Sequence, residues 1–344
     1  MKIDAWIGLP EASASERHQI ADLGAHAHMI EADGYSGLLS AETSHDPFLP
    51  LALAAEHTEH IDLMTAIAVG FARNPMVLAQ VAWDLQALSE GRFLLGLGSQ
   101  IQPHITKRFS MPWSQPAARM EEMIAAIRAI WDCWQTGERL NFRGDFYRHT
   151  LMTPMFDPGP LDTAAPPILI SAVGPLMTRV AGRAADGLVC HAFQTADYLR
   201  DVTLPNVLDG LEEAGRERAD FQIAMPVFVV SGFCEEDVAE QAAQTRRQIA
   251  FYGSTPAYRG VLEHHGWGDA QTELNRLSKQ GRWIEMGDVI DDEMLAAFAV
   301  VAEPREMPAR IAERFGGILD RLQFYAGVQD KQRWAPILEE IKAA

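Results

Sequence analysis

A short polar stretch follows one apolar run of the chain and carries three kinds of reactive side chain. Residues 40–46, SAETSHD, place carboxylates, hydroxyls and an imidazole side by side. Such groups can bind a polar ligand or transfer a proton. Ser44 and Asp46 can equally cap the next helix, which is their structural alternative. Glu42 and His45 are therefore the candidates for chemistry in this stretch.

Two further turns combine glycine with polar residues. The segment 96–100, GLGSQ, resembles a dinucleotide-binding loop, but the third glycine of that pattern would fall at Ile101. In the segment 171–175, SAVGP, backbone N–H groups after Gly174 would stand free at the start of a helix opened by Pro175. This turn is a candidate site for an anion such as phosphate, with an ordinary strand-to-helix turn as the alternative.

Other reactive residues do not form a known catalytic pattern. His26 and His28 would point to different faces of one helix, and residues 56–60, EHTEH, lack the HExxH arrangement. No GxSxG occurs, and the three cysteines show no CxxC spacing. We therefore expect no protein-bound metal and a reducing, cytoplasmic location. A metal-dependent barrel hydrolase is the alternative from another enzyme class.

The elements that position these residues alternate between apolar runs and helical patterns, which predicts parallel strands joined by helices. Eight runs read as strands: 3–9, 37–41, 63–69, 93–97, 168–172, 187–190, 223–230 and 319–325. Eight such units predict a (β/α)8 TIM barrel, whose active site lies at the carboxyl ends of the strands. We expect one domain over residues 1–344, with an excursion at 141–166 and an insertion at 253–313 before the last strand.

The charge composition limits the classes of partner that the protein can bind. The chain has 344 residues, 29 Lys and Arg against 47 Asp and Glu, and a net charge of −18. Such a surface repels phosphate backbones and anionic lipids, so we expect neither nucleic acid nor a membrane as partner. No apolar run approaches the ~18 residues of a membrane helix. A small-molecule substrate is the expected partner.

Several motifs, in order and at strand ends, resemble the bacterial luciferase-like oxidoreductases. They are Asn74-Pro75, the segment 88–93 (LSEGRF) leading to 96–99, Gly174-Pro175 followed by 181–187 (AGRAADG), and 316–325 (GGILDRLQFY). The resemblance covers the whole chain. It implies a TIM barrel that binds FMN or the deazaflavin coenzyme F420.

The resemblance also implies which residues hold that cofactor. The ring would stack at the end of the third strand on a backbone bulge with a non-proline cis peptide, between Ala66 and Ile67 or, alternatively, between Thr65 and Ala66. The implied cofactor-contacting residues are Glu42, Thr65, Ala66, Ile67, Ser99, Gln100, Ala172, Val173, Gly174, Pro175 and Leu176.

For catalysis the sequence departs from the related sugar-phosphate dehydrogenases. Where these carry a histidine after the acid of strand two and a glutamate after strand four, this chain has Thr43 and Ile101. The departure counts against sugar-phosphate oxidation. His45 and His104 are the substitutes that we predict as proton donors, with Glu42 as the third catalytic candidate.

The expected activity is hydride transfer between coenzyme F420 and a small organic substrate. Segments 181–187 and 255–262 look closest to the deazaflavin branch of the family. The alternative is an FMN-dependent monooxygenase supplied by a separate flavin reductase; a barrel that binds a cofactor without chemistry is the non-enzyme alternative. The family also implies a homodimer through the second and third helices, where Leu78, Val81, Ala82 and Leu85 form an apolar stripe.

Overall fold

The computed structural model describes residues 1–7, 22–326 and 331–343. Residues 8–9 of the first predicted strand and residues 19–21 of the helical pattern that follows it lie outside the described residues. The strands are β1 (Lys2–Trp6), β2 (Gly37–Ser40), β3 (Asp62–Thr65), β4 (Ala68–Val69), β5 (Phe93–Gly98), β6 (Phe142–Arg143), β7 (Arg148–His149), β8 (Ile168–Ala172), β9 (Gly187–Cys190), β10 (Gln222–Val230), β11 (Ala299–Val301) and β12 (Arg321–Phe324).

Helices separate most of these strands, as the alternating pattern predicts. They are α1 (Leu23–Ala32), α2 (Phe48–His57), α3 (Pro75–Leu88), α4 (Pro116–Thr136), α5 (Pro175–Ala184), α6 (Ala196–Tyr198), α7 (Leu204–Glu213), α8 (Glu235–Gly253), α9 (Arg259–His264), α10 (Gly268–Lys279), α11 (Asp292–Phe298), α12 (Met307–Phe315) and α13 (Lys331–Ala343). The segment 141–166 holds the small antiparallel hairpin β6–β7.

Parallel strands close into a ring. In the described residues, eight strands follow the order β1, β2, β3, β5, β8, β9, β10 and β12, and β12 pairs back onto β1. Each parallel step needs a crossover, and the helices supply it. The structure therefore confirms the predicted (β/α)8 TIM barrel with an insertion before the last strand.

The inside of the barrel has an apolar layer above an ionic one. The apolar layer consists of Leu39, Met64, Leu94, Leu169, Val189 and Ala224. Nearer the amino ends of the strands, the guanidinium of Arg321 on β12 forms two hydrogen bonds with Asp4 of β1, at 2.8 and 2.7 Å, and one with Asp62 of β3, at 2.6 Å. Arg321 and Asp4 are buried. Gly37 faces this pair, because a Cβ there would lie 2.3 Å from Arg321 Nη2.

The insertion forms a second apolar core beside the mouth of the barrel. β10 extends beyond the ring, and its last residues pair with β11. Ile249 and Ala250 of α8 belong to this second core, whereas Met307 and Ile311 of α12 belong to the main core. The second core therefore includes residues before position 253, and the main core includes residues before position 313, while the insertion bounds 253–313 stay a prediction. The apolar pattern of α8 resembles that of the helices around the barrel. The sequence therefore did not show that the end of α8 packs in the second core.

The apolar stripe of α3 packs inward. Leu78, Ala82 and Leu85 are buried in the main core, and Val81 packs against it. These side chains cover the sheet, so the homodimer stays a prediction that they do not support. Among the described helices, none is long and apolar enough to cross a membrane.

Candidate functional site

The third strand is interrupted at the mouth of the barrel. β3 ends at Thr65, β4 begins at Ala68, and the peptide bond between Ala66 and Ile67 is cis. The predicted cis bond is thereby confirmed, and the predicted continuous strand 63–69 is corrected to two short strands. Ala66 and Ile67 are half-buried and pack, together with Trp6, on the apolar layer inside the barrel. These three residues form the surface above the barrel interior.

The two glycines of the 96–100 segment make room for this bulge. A Cβ at Gly96 would lie 1.8 Å from the Thr65 carbonyl oxygen, and a Cβ at Gly98 would lie 2.6 Å from Ile67 Cδ1. The Thr65 hydroxyl donates to the Gly96 carbonyl at 2.8 Å and accepts from the Gly96 N–H at 2.9 Å. The buried Thr65 therefore fastens the bulge to β5 from below. The Gly-Leu-Gly pattern serves this close contact between strands.

Glu42 supports the other side of the bulge. Its carboxylate accepts a hydrogen bond from the Val69 N–H at 2.7 Å and forms an ion pair with Arg73 at 2.5 Å. Asp46 accepts from the Phe48 N–H at 2.8 Å and also pairs with Arg73, at 3.1 Å. Asp46 therefore binds the backbone at the start of α2, which is the structural alternative that the sequence offered for it. Glu42 holds the backbone of β4 in place. A direct contact of Glu42 with a cofactor stays a prediction.

The predicted proton donors lie on two adjoining loops. His45 precedes α2, and His104 begins the π-helical turn His104–Arg108 after β5; both residues are exposed. Arg108 Nη2 donates to the Thr43 carbonyl at 2.7 Å and connects the two loops. The structure therefore brings the segments of both histidines to the same side of the mouth, and their catalytic role stays a prediction.

Ser99 and Gln100 follow β5 directly. Gln100 has a left-handed backbone, with φ of 60°, and its side-chain oxygen accepts from the Ile101 N–H at 3.0 Å. The Ser99 hydroxyl donates to the Gln100 carbonyl at 3.1 Å. Few residues other than glycine adopt this conformation, and those that do are often found at functional sites. Both side chains are half-buried beside the bulge.

The turn after β8 leaves the start of α5 open. Ala172 is buried, Val173 is half-buried, and Gly174, Pro175 and Leu176 are exposed. Among the described residues, no side chain caps this helix, and a Cβ at Gly174 would meet nothing within 4 Å. The first backbone N–H groups of α5 are therefore accessible at the positive end of the helix, which suits an anion.

Sequence reasoning missed a group of rings on the opposite side of the mouth, which we call the mouth cluster: His191, Tyr252, Tyr258 and Tyr325. The His191 ring lies 4.5 Å from the Tyr252 ring and 4.7 Å from the Tyr258 ring. The hydroxyls of Tyr252 and Tyr325 lie 2.7 Å apart. All four residues are half-buried. His191 follows the apolar run 187–190 directly, the same signal that singled out Glu42, whereas the three tyrosines carried no local signal.

Burial lowers the pKa of His191 to about 4. The unfolded chain binds a proton at the ordinary pKa of 6.5, so folded stability falls as the pH drops from 6.5 towards 4. We expect this loss to reach on the order of 2–3 kcal/mol in the wild type and to be absent in His191→Gln. Urea unfolding at pH 7 and pH 4.5 measures it. His60→Gln, at an exposed histidine, should behave as the wild type; equal pH sensitivity of the wild type and His191→Gln would contradict the expectation.

Two surface cavities in the described part of the chain lie apart from these residues. One, of about 460 Å³, has its arginines already paired, since Arg314 donates to carbonyls at the end of α11 and Arg200 to the Arg314 carbonyl. The other, of about 710 Å³, lies at the start of α8 beside Pro304. Within the described residues, no three His, Cys, Asp or Glu side chains gather as a metal site. The strand ends therefore remain the candidate site.

A parallel barrel with a bulge, an open helix start and a ring cluster at the carboxyl ends of its strands has the layout of a cofactor-dependent TIM-barrel enzyme. The family model for luciferase-like monooxygenases matches residues 2–321. The chain belongs to this family, whose members are oxidoreductases or monooxygenases.

Two relatives are similar in sequence over most of the chain. An uncharacterized protein of Mycobacterium tuberculosis is 52% identical over 305 residues, 89% of this chain and 90% of that protein. An F420-dependent glucose-6-phosphate dehydrogenase of Intrasporangium calvum is 35% identical over 300 residues, 84% and 81% of the two chains.

In structure, the chain is similar to the coenzyme F420-dependent tetrahydromethanopterin reductase of Methanopyrus kandleri, with a TM-score of 0.76, 17% identity and 99% and 98% of the chains covered. It is also similar to a Baeyer–Villiger monooxygenase of Pseudomonas putida in complex with FMN, with a TM-score of 0.67, 19% identity and 99% and 96% covered. At these identities the structural matches show the fold alone.

Proposed function

We propose that this protein transfers a hydride between the deazaflavin coenzyme F420 and a small organic substrate. The observation that carries the proposal is the similarity to curated F420-dependent enzymes over more than four fifths of the chain, up to 35% identity. A methylenetetrahydromethanopterin reductase of Methanolobus tindarius, 27% identical over 294 residues, belongs to the same group of relatives. The alternative, an FMN-dependent monooxygenase, rests on fold similarity.

The residues present fit such a cofactor in two places. Ala66 and Ile67 offer a small, half-buried apolar surface above the barrel interior, suited to a planar ring. The accessible N–H groups of Leu176 and Met177 at the start of α5 suit a phosphate. Because the net charge is −18, this local backbone site must attract the phosphate against the field of the whole protein.

When bound, the coenzyme would supply the hydride, and the chain would supply position. Glu42 holds the backbone of β4 and Thr65 holds that of β3 against β5, so hydrogen bonds within the protein position the surface at Ala66 and Ile67. His45 and His104, on the two joined loops, are the proposed proton donors to the substrate. His45→Ala and Glu42→Ala are the variants that test these roles.

Titration with each cofactor tests the proposal. We expect the purified protein to bind F420 more tightly than FMN, followed by the change in cofactor fluorescence. We also expect the bound deazaflavin to exchange hydride with a substrate without consuming dioxygen. Tight FMN binding with no affinity for F420 would overturn the proposal and favour the monooxygenase.

A matched pair of variants at Leu176 tests the start of α5 within the same titration. The Leu176 side chain is exposed, so Leu176→Asp places a carboxylate beside the proposed phosphate without disturbing the core. Repulsion on the order of 1–2 kcal/mol should weaken F420 binding about tenfold. In Leu176→Asn the new side chain has nearly the same shape as aspartate but no charge. This variant should bind F420 with an affinity close to that of the wild type. Equal affinities of the two variants would remove the phosphate from this turn.

A further inference from the structure

The His191 side chain lies on the face of its strand that points into the barrel. Val189, two residues earlier, belongs to the apolar layer inside the ring. Because side chains alternate along a strand, His191 continues that face by one layer towards the carboxyl end. The same level holds Trp6, Ala66 and Ile67. The imidazole therefore stands at the mouth, with β5 and β8 separating its strand from β3 in the ring.

The hydrogen bonding of His191 fixes which ring nitrogen carries the proton. Nδ1 lies 3.0 Å from the Phe193 N–H and accepts its hydrogen bond. In a neutral imidazole the proton must then be on Nε2. Nε2 has no hydrogen-bond partner among the described residues. It is also not fully buried, because the fully buried polar atoms without a partner do not include it. A donor N–H is thus available to a ligand at the mouth.

The surroundings of this donor are aromatic and uncharged. Tyr252 on α8 and Tyr258 on the turn after α8 face the imidazole, and Tyr325, after β12, is hydrogen-bonded to Tyr252. Burial raises the pKa of the Tyr258 hydroxyl to about 12 and also raises that of Tyr252. The Tyr252 and Tyr258 phenols therefore stay neutral at physiological pH. These aromatic side chains favour an uncharged organic group. A phosphate or carboxylate would lose its hydration there without gaining a charged partner.

We propose that the mouth cluster binds an uncharged ketone, aldehyde or alcohol, with His191 Nε2–H donating a hydrogen bond to the substrate oxygen. This inference rests on the proposed function and adds the substrate class to it. In the reducing direction, the carbonyl carbon accepts the hydride, the C=O π pair moves to oxygen, and the resulting alkoxide takes a proton from one of the proposed donors, His45 or His104. His191 keeps its proton throughout and stabilises the negative charge that develops on oxygen.

Kinetics with matched variants test this role. The probes are cyclohexanone, as an uncharged carbonyl compound, and glucose 6-phosphate, as a charged one, each with reduced F420. We expect turnover of cyclohexanone but not of the sugar phosphate. His191→Phe should lose about 10²-fold in kcat/KM with its F420 dissociation constant unchanged. His191→Gln retains an N–H and should keep most of the activity, and His60→Phe, at an exposed histidine, should match the wild type.

Nitrogen NMR of the histidine side chains gives a readout that does not depend on activity. We expect the His191 resonance, identified by its loss in His191→Gln, to show protonated Nε2 and bare Nδ1 from pH 5 to 8, and to shift when cyclohexanone is added without coenzyme. A Nδ1–H tautomer, or a resonance that cyclohexanone leaves unmoved, would overturn the inference. Preference for glucose 6-phosphate, or a loss below about threefold in His191→Phe, would also overturn it. Failure to bind F420 would overturn the proposed function alone and leave the NMR result to decide.

Discussion

Replacing Gly96 with alanine is expected to lower the free energy of unfolding by about 3 kcal/mol or more and to weaken cofactor binding by more than about tenfold. The added methyl carbon would lie 1.8 Å from the Thr65 carbonyl oxygen, an atom of the backbone that cannot rotate away. β3 and β5 must therefore separate, and the two hydrogen bonds between Thr65 and Gly96 are strained or lost. The residues that follow Thr65 form the proposed surface for the ring, so their displacement reaches the ligand.

The control for this variant is another glycine that has room for a methyl group. At Gly260, in α9, an added Cβ would meet the Tyr198 hydroxyl at 3.6 Å, an ordinary contact. Gly260→Ala should stay within about 1 kcal/mol of the wild type, or gain slightly, because alanine favours a helix. Urea unfolding and cofactor titration measure both variants. A Gly96→Ala protein with wild-type stability and affinity would show that the contact between β3 and β5 is looser than described.

Arg321→Met is expected to destabilise the protein by about 3–5 kcal/mol. The substitution leaves Asp4, which is buried, without the guanidinium that holds both its oxygens, and Asp62 with Lys2 alone. An unpaired carboxylate inside the barrel costs far more than the loss of a surface ion pair. Equilibrium unfolding in urea at pH 7 measures the effect.

Two further variants separate burial from charge. Arg310→Met breaks the exposed pair with Glu313 and should change stability by less than about 0.5 kcal/mol. Asp4→Leu combined with Arg321→Met removes both buried charges and should recover much of the loss, since apolar side chains often replace a buried ion pair at little cost. A loss below about 1 kcal/mol in Arg321→Met, or a double variant worse than the single, would contradict this account.

Much of the architecture was predictable because the barrel repeats one local pattern. Each apolar run followed by an amphipathic segment predicts a strand and a helix, and eight repetitions predict closure. The cis bond between Ala66 and Ile67 was predictable only through the family resemblance. The purpose of Gly96 and Gly98 was not predictable, because the bulge that approaches them lies 31 residues away in the chain and its shape has no local signal.

The parts of the site that escaped prediction depend on contacts between distant segments. The mouth cluster combines residues that directly follow β9 and β12 with residues of α8 and a short turn, and no spacing rule connects them. The ion pair of Arg321 with Asp4 likewise joins the two ends of the chain. The contacts of Asp46, by contrast, are local. Its role at the start of a helix was predictable because the N–H groups that it binds are only two and three residues away.

The pairing of β1 with β12 bears on how the molecule is made. The Arg321–Asp4 pair spans a sequence separation of 317 residues. One edge of β1 therefore stays unpaired until β12, more than 300 residues further along the chain, has formed. Closure of the ring is therefore a contact of very high sequence separation, which slows folding because a long loop of chain must be ordered to make it. Until β1 and β12 meet, their facing edges are the part of the barrel that is open to edge-to-edge association with another chain.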